Sequence, residues 1–323
     1  MVPPTMPGAS FLLRRFATFL ATLAATSVVV FGVLELLPGN AAQVMMGADA
    51  SQEAVDALAR RLGLDRPAPD RFVHWIAGYF TGDLGVSYAY DTPVWELIAE
   101  RMHVTLPLAL LAMALTTLLA LAAGVFAASR HGRAGDWLTM GVSQLGIAMP
   151  NFWFAILLIL LFAVQLRWFP AGGFPGWGEG LWPALRAMVL PAVSLALVQA
   201  AILARITRSA VLEVLREDFV RTARARGLSR RQVLWRHVLR NAMVPVVTMM
   251  GLQFANLLAG TIVIENVFYL PGLGRLIFQS ISNRDVVVVR DCVMLVAAMV
   301  VAVNFVVDVA YAIIDPRLRT GTA

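Results

Sequence analysis

Six apolar stretches, each about twenty residues long or more, divide this 323-residue chain: Phe16–Leu36, Val104–Ala128, Leu138–Gln165, Leu185–Ala204, Val246–Ile264 and Cys292–Ile314. A helix rises about 1.5 Å per residue, so ~20 residues cross a ~30 Å hydrocarbon core with every backbone polar group satisfied inside the segment. The composition agrees, with 59% of residues hydrophobic and 14% charged. The expected class is therefore an all-α integral membrane protein with six membrane-crossing helices. The third stretch is long enough to tilt, and Pro150 is placed to bend it. Pro191 and Pro245 are expected in the first turns of the fourth and fifth helices, where a missing N–H costs little.

Arginine placement gives the orientation. With both termini cytoplasmic, the segments on that side hold sixteen Arg against five acids (Asp136, Glu213, Glu217, Asp218 and Asp315), and the opposite segments hold ten Arg against fourteen acids. The inverted arrangement would oppose the positive-inside bias. The net charge of +6 thus follows topology; it predicts contact with anionic membrane lipid and lacks the aromatic-interleaved context of a nucleic-acid binder. Arg14-Arg15 before an apolar run resembles a signal peptide. The run exceeds the usual ~7–15 residues, however, and Glu35-Leu-Leu-Pro38 follows it instead of a small-x-small cleavage site. An uncleaved first helix is expected.

The organisation follows. Residues 1–37 form the first helix, 38–102 a small extracytoplasmic insertion, and 103–323 a five-helix core containing a cytoplasmic loop at 205–245. Within the insertion, Ser51-Gln-Glu53 predicts a helix start, with Val55, Leu58, Ala59 and Leu62 on its apolar face and Gly63 at its end. His74, Trp75 and Tyr79 predict a second amphipathic piece near the interface. About 65 residues make a cap rather than an enzyme domain.

The chain contains no lysine. A P-loop needs its Lys to reach the β- and γ-phosphates, so the chain carries no Walker A site, and any ATP that drives it binds another subunit. The lone Cys292 has no disulfide partner. His74, His103, His131 and His237 show no metal-ligand spacing, and no Gly-x-Ser-x-Gly elbow occurs. No cofactor or catalysis is expected. An intramembrane enzyme would need an acid–base cluster, and an ion-coupled secondary transporter would need titratable relay groups and often repeats. Asp308 is expected to be the one carboxylate well within a span, near its inner end and able to pair there with an Arg.

Between the fourth and fifth stretches, Arg205 to Arg240 holds ten arginines and only Glu213, Glu217 and Asp218 as acids. Gly227 can end a helix in the left-handed region, and Ser229 with Gln232 forms a capping box. Leu228 and Val233 are spaced as a hydrophobic staple. Beyond them, Leu234, Trp235, Val238 and Leu239 are expected on one face. Glu217 and Asp218 at one helix start, and Arg224 and Arg226 at its end, suit the macrodipole. Two short helices joined sharply at Gly227 are predicted. A plain basic loop lying on lipid is the simpler alternative, but it would need no such caps.

The segment Arg221-Thr-Ala223 with Gly227 and Leu228 resembles the cytoplasmic "EAA" loop of binding-protein-dependent ABC importer permeases, in the version of the dipeptide, oligopeptide and nickel group. Arg221 stands where the general motif has Glu, and Arg240 where it has Pro. Leu64-Asp-Arg-Pro67, Gly82-Asp-Leu-Gly-Val-Ser87, Met149-Pro-Asn-Phe-Trp153, Glu265-Asn-Val-Phe-Tyr-Leu-Pro-Gly-Leu-Gly-Arg275, Asn283-Arg-Asp285 and Asp315-Pro-Arg317 are similar to the B-type permease of that group. Val286-Val287 replaces its usual Tyr-Pro. The resemblance implies a type I importer permease that pairs with a second homologous permease. It also implies two ATPase subunits docking on the cytoplasmic loop and a substrate-binding protein delivering cargo from outside. By that resemblance Arg221, Thr222, Ala223, Gly227, Leu228 and Ser229 make the ATPase contact, with small side chains at Thr222, Ala223 and Ala225 seating the helix in a groove. Peptides are the implied cargo, with nickel chelates and glutathione handled by similar permeases.

Amides within the spans are Gln144, Asn151, Gln199, Gln253, Asn256 and Asn304. Such groups more often tie helices together than touch cargo. Asn151, Gln199, Gln253 and Asn256 are the candidates for a substrate pathway.

Overall fold

A computed structural model describes residues 9–36, 41–47, 49–61, 63 and 65–314. Leu62, Leu64 and the closing Asp315-Pro-Arg317 lie outside them. In chain order the helices are α1 (Ala9–Glu35), α2 (Ala41–Met46), α3 (Gln52–Arg61), α4 (Ala68–Thr81), α5 (Val94–Ser129), α6 (Ala134–Ala148), α7 (Asn151–Leu158), α8 (Leu181–Val214), α9 (Asp218–Ala225), α10 (Arg230–Val233), α11 (Leu239–Val267), α12 (Leu273–Ser282) and α13 (Val286–Ile314). The described residues form no β-strand; their single β-bridge joins Val86 and Pro93.

Among the described residues, five helical segments are long and apolar enough to cross a membrane: Leu12–Glu35, Val94–Ser129, Leu181–Val214, Arg230–Val267 and Val286–Val309. The third apolar stretch is a broken one, with Ala134–Ala148 and Asn151–Gln165 meeting at 104°. Pro150 makes the corner, because its ring disfavours the helical region for the preceding residue, and Met149 is extended at φ −94, ψ 132. Counting the bent pair as one span gives the expected six.

The helices outrun the apolar stretches, and this corrects the expected proline positions. Pro191 lies inside α8 and Pro245 inside α11 rather than in first turns. Polar residues at a span's edge mark where hydrocarbon ends, whereas the helix continues while its backbone bonds are made. The second of the two predicted short helices is likewise the start of a long one. From α10 the chain turns once through a π-helical turn, Leu234–Val238, into α11.

α8 is the centre of the bundle. Of its most apolar stretch 61% is buried, against 6% for α1, which packs chiefly on α13. α5 approaches α8 closely at Gly124, where a Cβ would stand 2.6 Å from Thr207 Cβ and 2.7 Å from the Ala204 carbonyl. Small residues permit such contact where no hydrophobic force drives helices together in lipid. Asp308 at the far end of α13 pairs with Arg15 at 2.9 Å, as its position in the sequence suggests.

In the insertion, Val55, Leu58 and Ala59 of α3 are buried, and Gly63 has φ +66, as the sequence pattern predicts. α4 has one buried and one exposed face, as an amphipathic piece should. His74 stays exposed, but Trp75 is 4% exposed, stacks with Phe31 of α1 and donates through Nε1 to Asp291 at 2.5 Å.

Candidate functional site

α9 is short, yet both of its ends are fixed. The chain leaves α8 through a turn in which Arg216 and Glu217 N–H groups donate to Glu213 and Val214 carbonyls. At the other end Gly227 stands at φ +84. Its N–H donates to Arg224 O at 3.0 Å, and Leu228 N–H reaches Ala223 O at 3.4 Å, which is a Schellman termination needing a left-handed residue. Ser229 then opens α10. Its Oγ accepts from Gln232 N–H at 3.3 Å, and Gln232 Oε1 accepts from Ser229 N–H at 3.0 Å, so the predicted capping box forms in both directions.

These ends aim the two faces of α9. Val220 is fully buried and Ala223 is 8% exposed. Both join a cluster with Val211 of α8 and Val233, Val238 and Ala242 beyond the joint, and Leu228 packs against it. Val233 and Val238 are five residues apart, a spacing that a π turn aligns on one side. The same turn leaves Trp235 exposed, off the face expected for it. The outward face carries Phe219, Arg221, Thr222, Arg224, Ala225 and Arg226. Arg221 reaches Asp218 at 3.5 Å, with both side chains exposed, a contact worth little. Gly227 and Ser229 are exposed beside them. Of the residues picked from sequence, then, five are accessible or partly so, and Ala223 faces the protein's own interior. Phe219 shares the accessible face without a role read from the sequence, and so does Arg224, noted there only for the macrodipole.

α9 is also tied to the bundle through α8. Arg208 donates Nε and Nη2 to Asp136 at 2.6 and 2.8 Å, and Gly132 N–H adds a third bond at 3.0 Å. At the opposite end, buried carboxylates fix the turns between spans. Glu265 accepts from Thr105 Oγ1 at 2.6 Å and Gly274 N–H at 2.7 Å. Asp285 accepts from Ser87 Oγ at 2.5 Å and from Ala89 N–H, joining two of the sequence motifs. Asp291 accepts from Trp75 and Tyr79. Burial first, and the Asp291 charge second, hold the Tyr79 phenol above its ordinary range, so it remains a protonated donor. Asp308 is therefore not the only carboxylate within a spanning helix; Asp136, Glu265 and Asp291 also lie in such helices, and they are buried.

Two of the four pathway candidates meet. Gln253 on α11 is 2% exposed and donates Nε2 to Gln199 O on α8 at 3.0 Å. The side-chain oxygens of both are buried without a partner among the described residues. Asn151 is half-buried at the start of α7, and Asn256 is exposed on α11.

Residues 120–320 match the family described as binding-protein-dependent transport system inner membrane component, and residues 9–109 match its N-terminal companion. A glutathione transport system permease protein of Escherichia coli O6:H1 is 40% identical over 96% of this chain and 99% of its own. A di/tripeptide transport system permease protein of Pseudomonas aeruginosa is 39% identical over 96% of this chain and 98% of its own. A solved inward-facing methionine ABC transporter shares the fold, with a TM-score of 0.53 at 18% identity over 69% of this chain and 96% of that one.

Proposed function

Because the chain belongs to the family of binding-protein-dependent transport system inner membrane components, we propose that it is the pore-forming subunit of an ATP-driven importer of di- and oligopeptides. It pairs with a second homologous permease, receives cargo from an extracytoplasmic binding protein and takes its energy from two separate ATPase subunits. Both termini lie in the cytoplasm, and the chain itself performs no chemistry. Its lack of lysine supports the separate ATPase subunits, since no P-loop can be built from it.

The geometry of α9 carries the coupling assignment. A helix seated by Val220 and Ala223, stopped at Gly227 and restarted at Ser229 transmits a push along a fixed direction. Its outward arginines and Phe219 fit a partner groove that is acidic and has an apolar slot. The Gln199–Gln253 contact lies between the central helix and α11, and its unpartnered oxygens suit the wall of a polar pathway. Asn151 and Asn256 are assigned to the same pathway, and glutathione is the alternative cargo, supported by the 40% identical relative.

A photo-crosslinking residue at Thr222 in the reconstituted assembly tests this. Adducts with the ATPase are expected there and not at the exposed Trp182, at the opposite end of α8. Equal labelling from both sites, or none from Thr222, contradicts the assignment.

A further inference from the structure

A cavity of about 700 Å³ opens at the end of the bundle opposite α9, between the insertion, the last turns of α1 and the start of α13. Four arginines line it: Arg60, Arg66, Arg71 and Arg290. Two are already engaged. Arg71 pairs with Glu35, and Arg290 lies 4.9 Å over the Trp75 ring with Nη2 3.4 Å from Asp291. Arg60 and Arg66 form no ion pair among the described residues, and the Arg290 Nε is buried without an acceptor. Of the lining acids, Asp83 accepts from Gly85 N–H at 3.0 Å and Asp91 is exposed, so the cavity keeps unspent donors.

An orphaned, buried guanidinium N–H calls for an acceptor, and several convergent guanidinium groups match an oxyanion best. Beside His74 and the two acids, Phe31, Trp75, Leu84 and Pro93 add apolar surface to the lining. Phe31 of α1 lines the cavity, and Val28, Val29 and Val33 of the same helix are exposed, with only 6% of that spanning stretch buried. A soluble anion would use only the arginines; an amphiphile would use both surfaces.

We infer that this cavity binds the phosphate of an anionic phospholipid, with the acyl chains lying along α1. The lipid would fasten a helix that otherwise rests on α13 and on the Phe31–Trp75 and Arg71–Glu35 contacts. The inference does not depend on cargo or on ATPase coupling.

Native mass spectrometry of the full chain in detergent tests it, with dioleoyl phosphatidylglycerol, dioleoyl phosphatidylcholine and inorganic phosphate as probes. Wild type is expected to retain phosphatidylglycerol over phosphatidylcholine, and the Arg60→Gln/Arg66→Gln variant to lose roughly tenfold in that retention. Arg231→Gln/Arg236→Gln, the same charge change at the other end, should keep it. Equal retention of the two lipids, or unchanged retention in Arg60→Gln/Arg66→Gln, overturns the site. Displacement of the lipid by inorganic phosphate at comparable concentration overturns the lipid as its occupant.

Discussion

Arg208 and Asp136 form a two-donor pair, with Nε at 2.6 Å and Nη2 at 2.8 Å from the two carboxylate oxygens. Such a fork fixes direction as well as distance. It joins the last turns of α8 to the first turn of α6, within one short helix extension of α9. Under the proposed coupling, motion imposed on α9 would reach both α8 and the bent α6–α7 span.

Asp136→Leu should destabilise the protein by about 3–5 kcal/mol, because Arg208 is left partly buried without its counter-charge. Asp136→Leu/Arg208→Met should recover much of that loss. Thermal unfolding of the purified chain in detergent measures both, and additive losses would show that the two residues do not act as a pair.

Ala223 and Ala225 sit on opposite faces of α9 and should respond differently. Ala223→Phe overfills the cluster beneath the helix and is expected to cost about 1–3 kcal/mol. Ala225→Phe, on the exposed face, should stay within ~0.5 kcal/mol. Equal losses by thermal unfolding would contradict the seating described.

Glu265→Ala should cost about 3 kcal/mol or more. It strips acceptors from Thr105 Oγ1 and the Gly274 N–H, both buried. Glu265→Gln keeps an acceptor and should lose less. A Glu265→Ala protein as stable as wild type would show that this carboxylate does not hold the turn before α12.

Much of this was legible in the residues. Span number came from run length, and the joint at Gly227 and Ser229 came from local chemistry that tertiary context did not override. What escaped was long-range. Ala223 is a contact residue by the family resemblance, and only the cluster under α9 shows that it faces inward. Asp291 and Trp75 lie 216 residues apart, so no local pattern pairs them. The helix ends were misplaced because hydropathy reports the membrane boundary, whereas helices stop at caps and turns. Phe219 was legible in part, as an aromatic beside the charged start of α9, but its exposure depends on Val220 pointing the other way.

In the proposed function, α9 and its glycine joint transmit the work of separate ATPase subunits. The direct measurement is cargo taken up per ATP hydrolysed by the reconstituted assembly, wild type against Gly227→Val. A β-branched residue at φ +84 costs on the order of 1–3 kcal/mol and re-aims the joint. Hydrolysis that continues while uptake per ATP falls severalfold is the predicted result. An unchanged ratio in a correctly assembled complex would contradict the account.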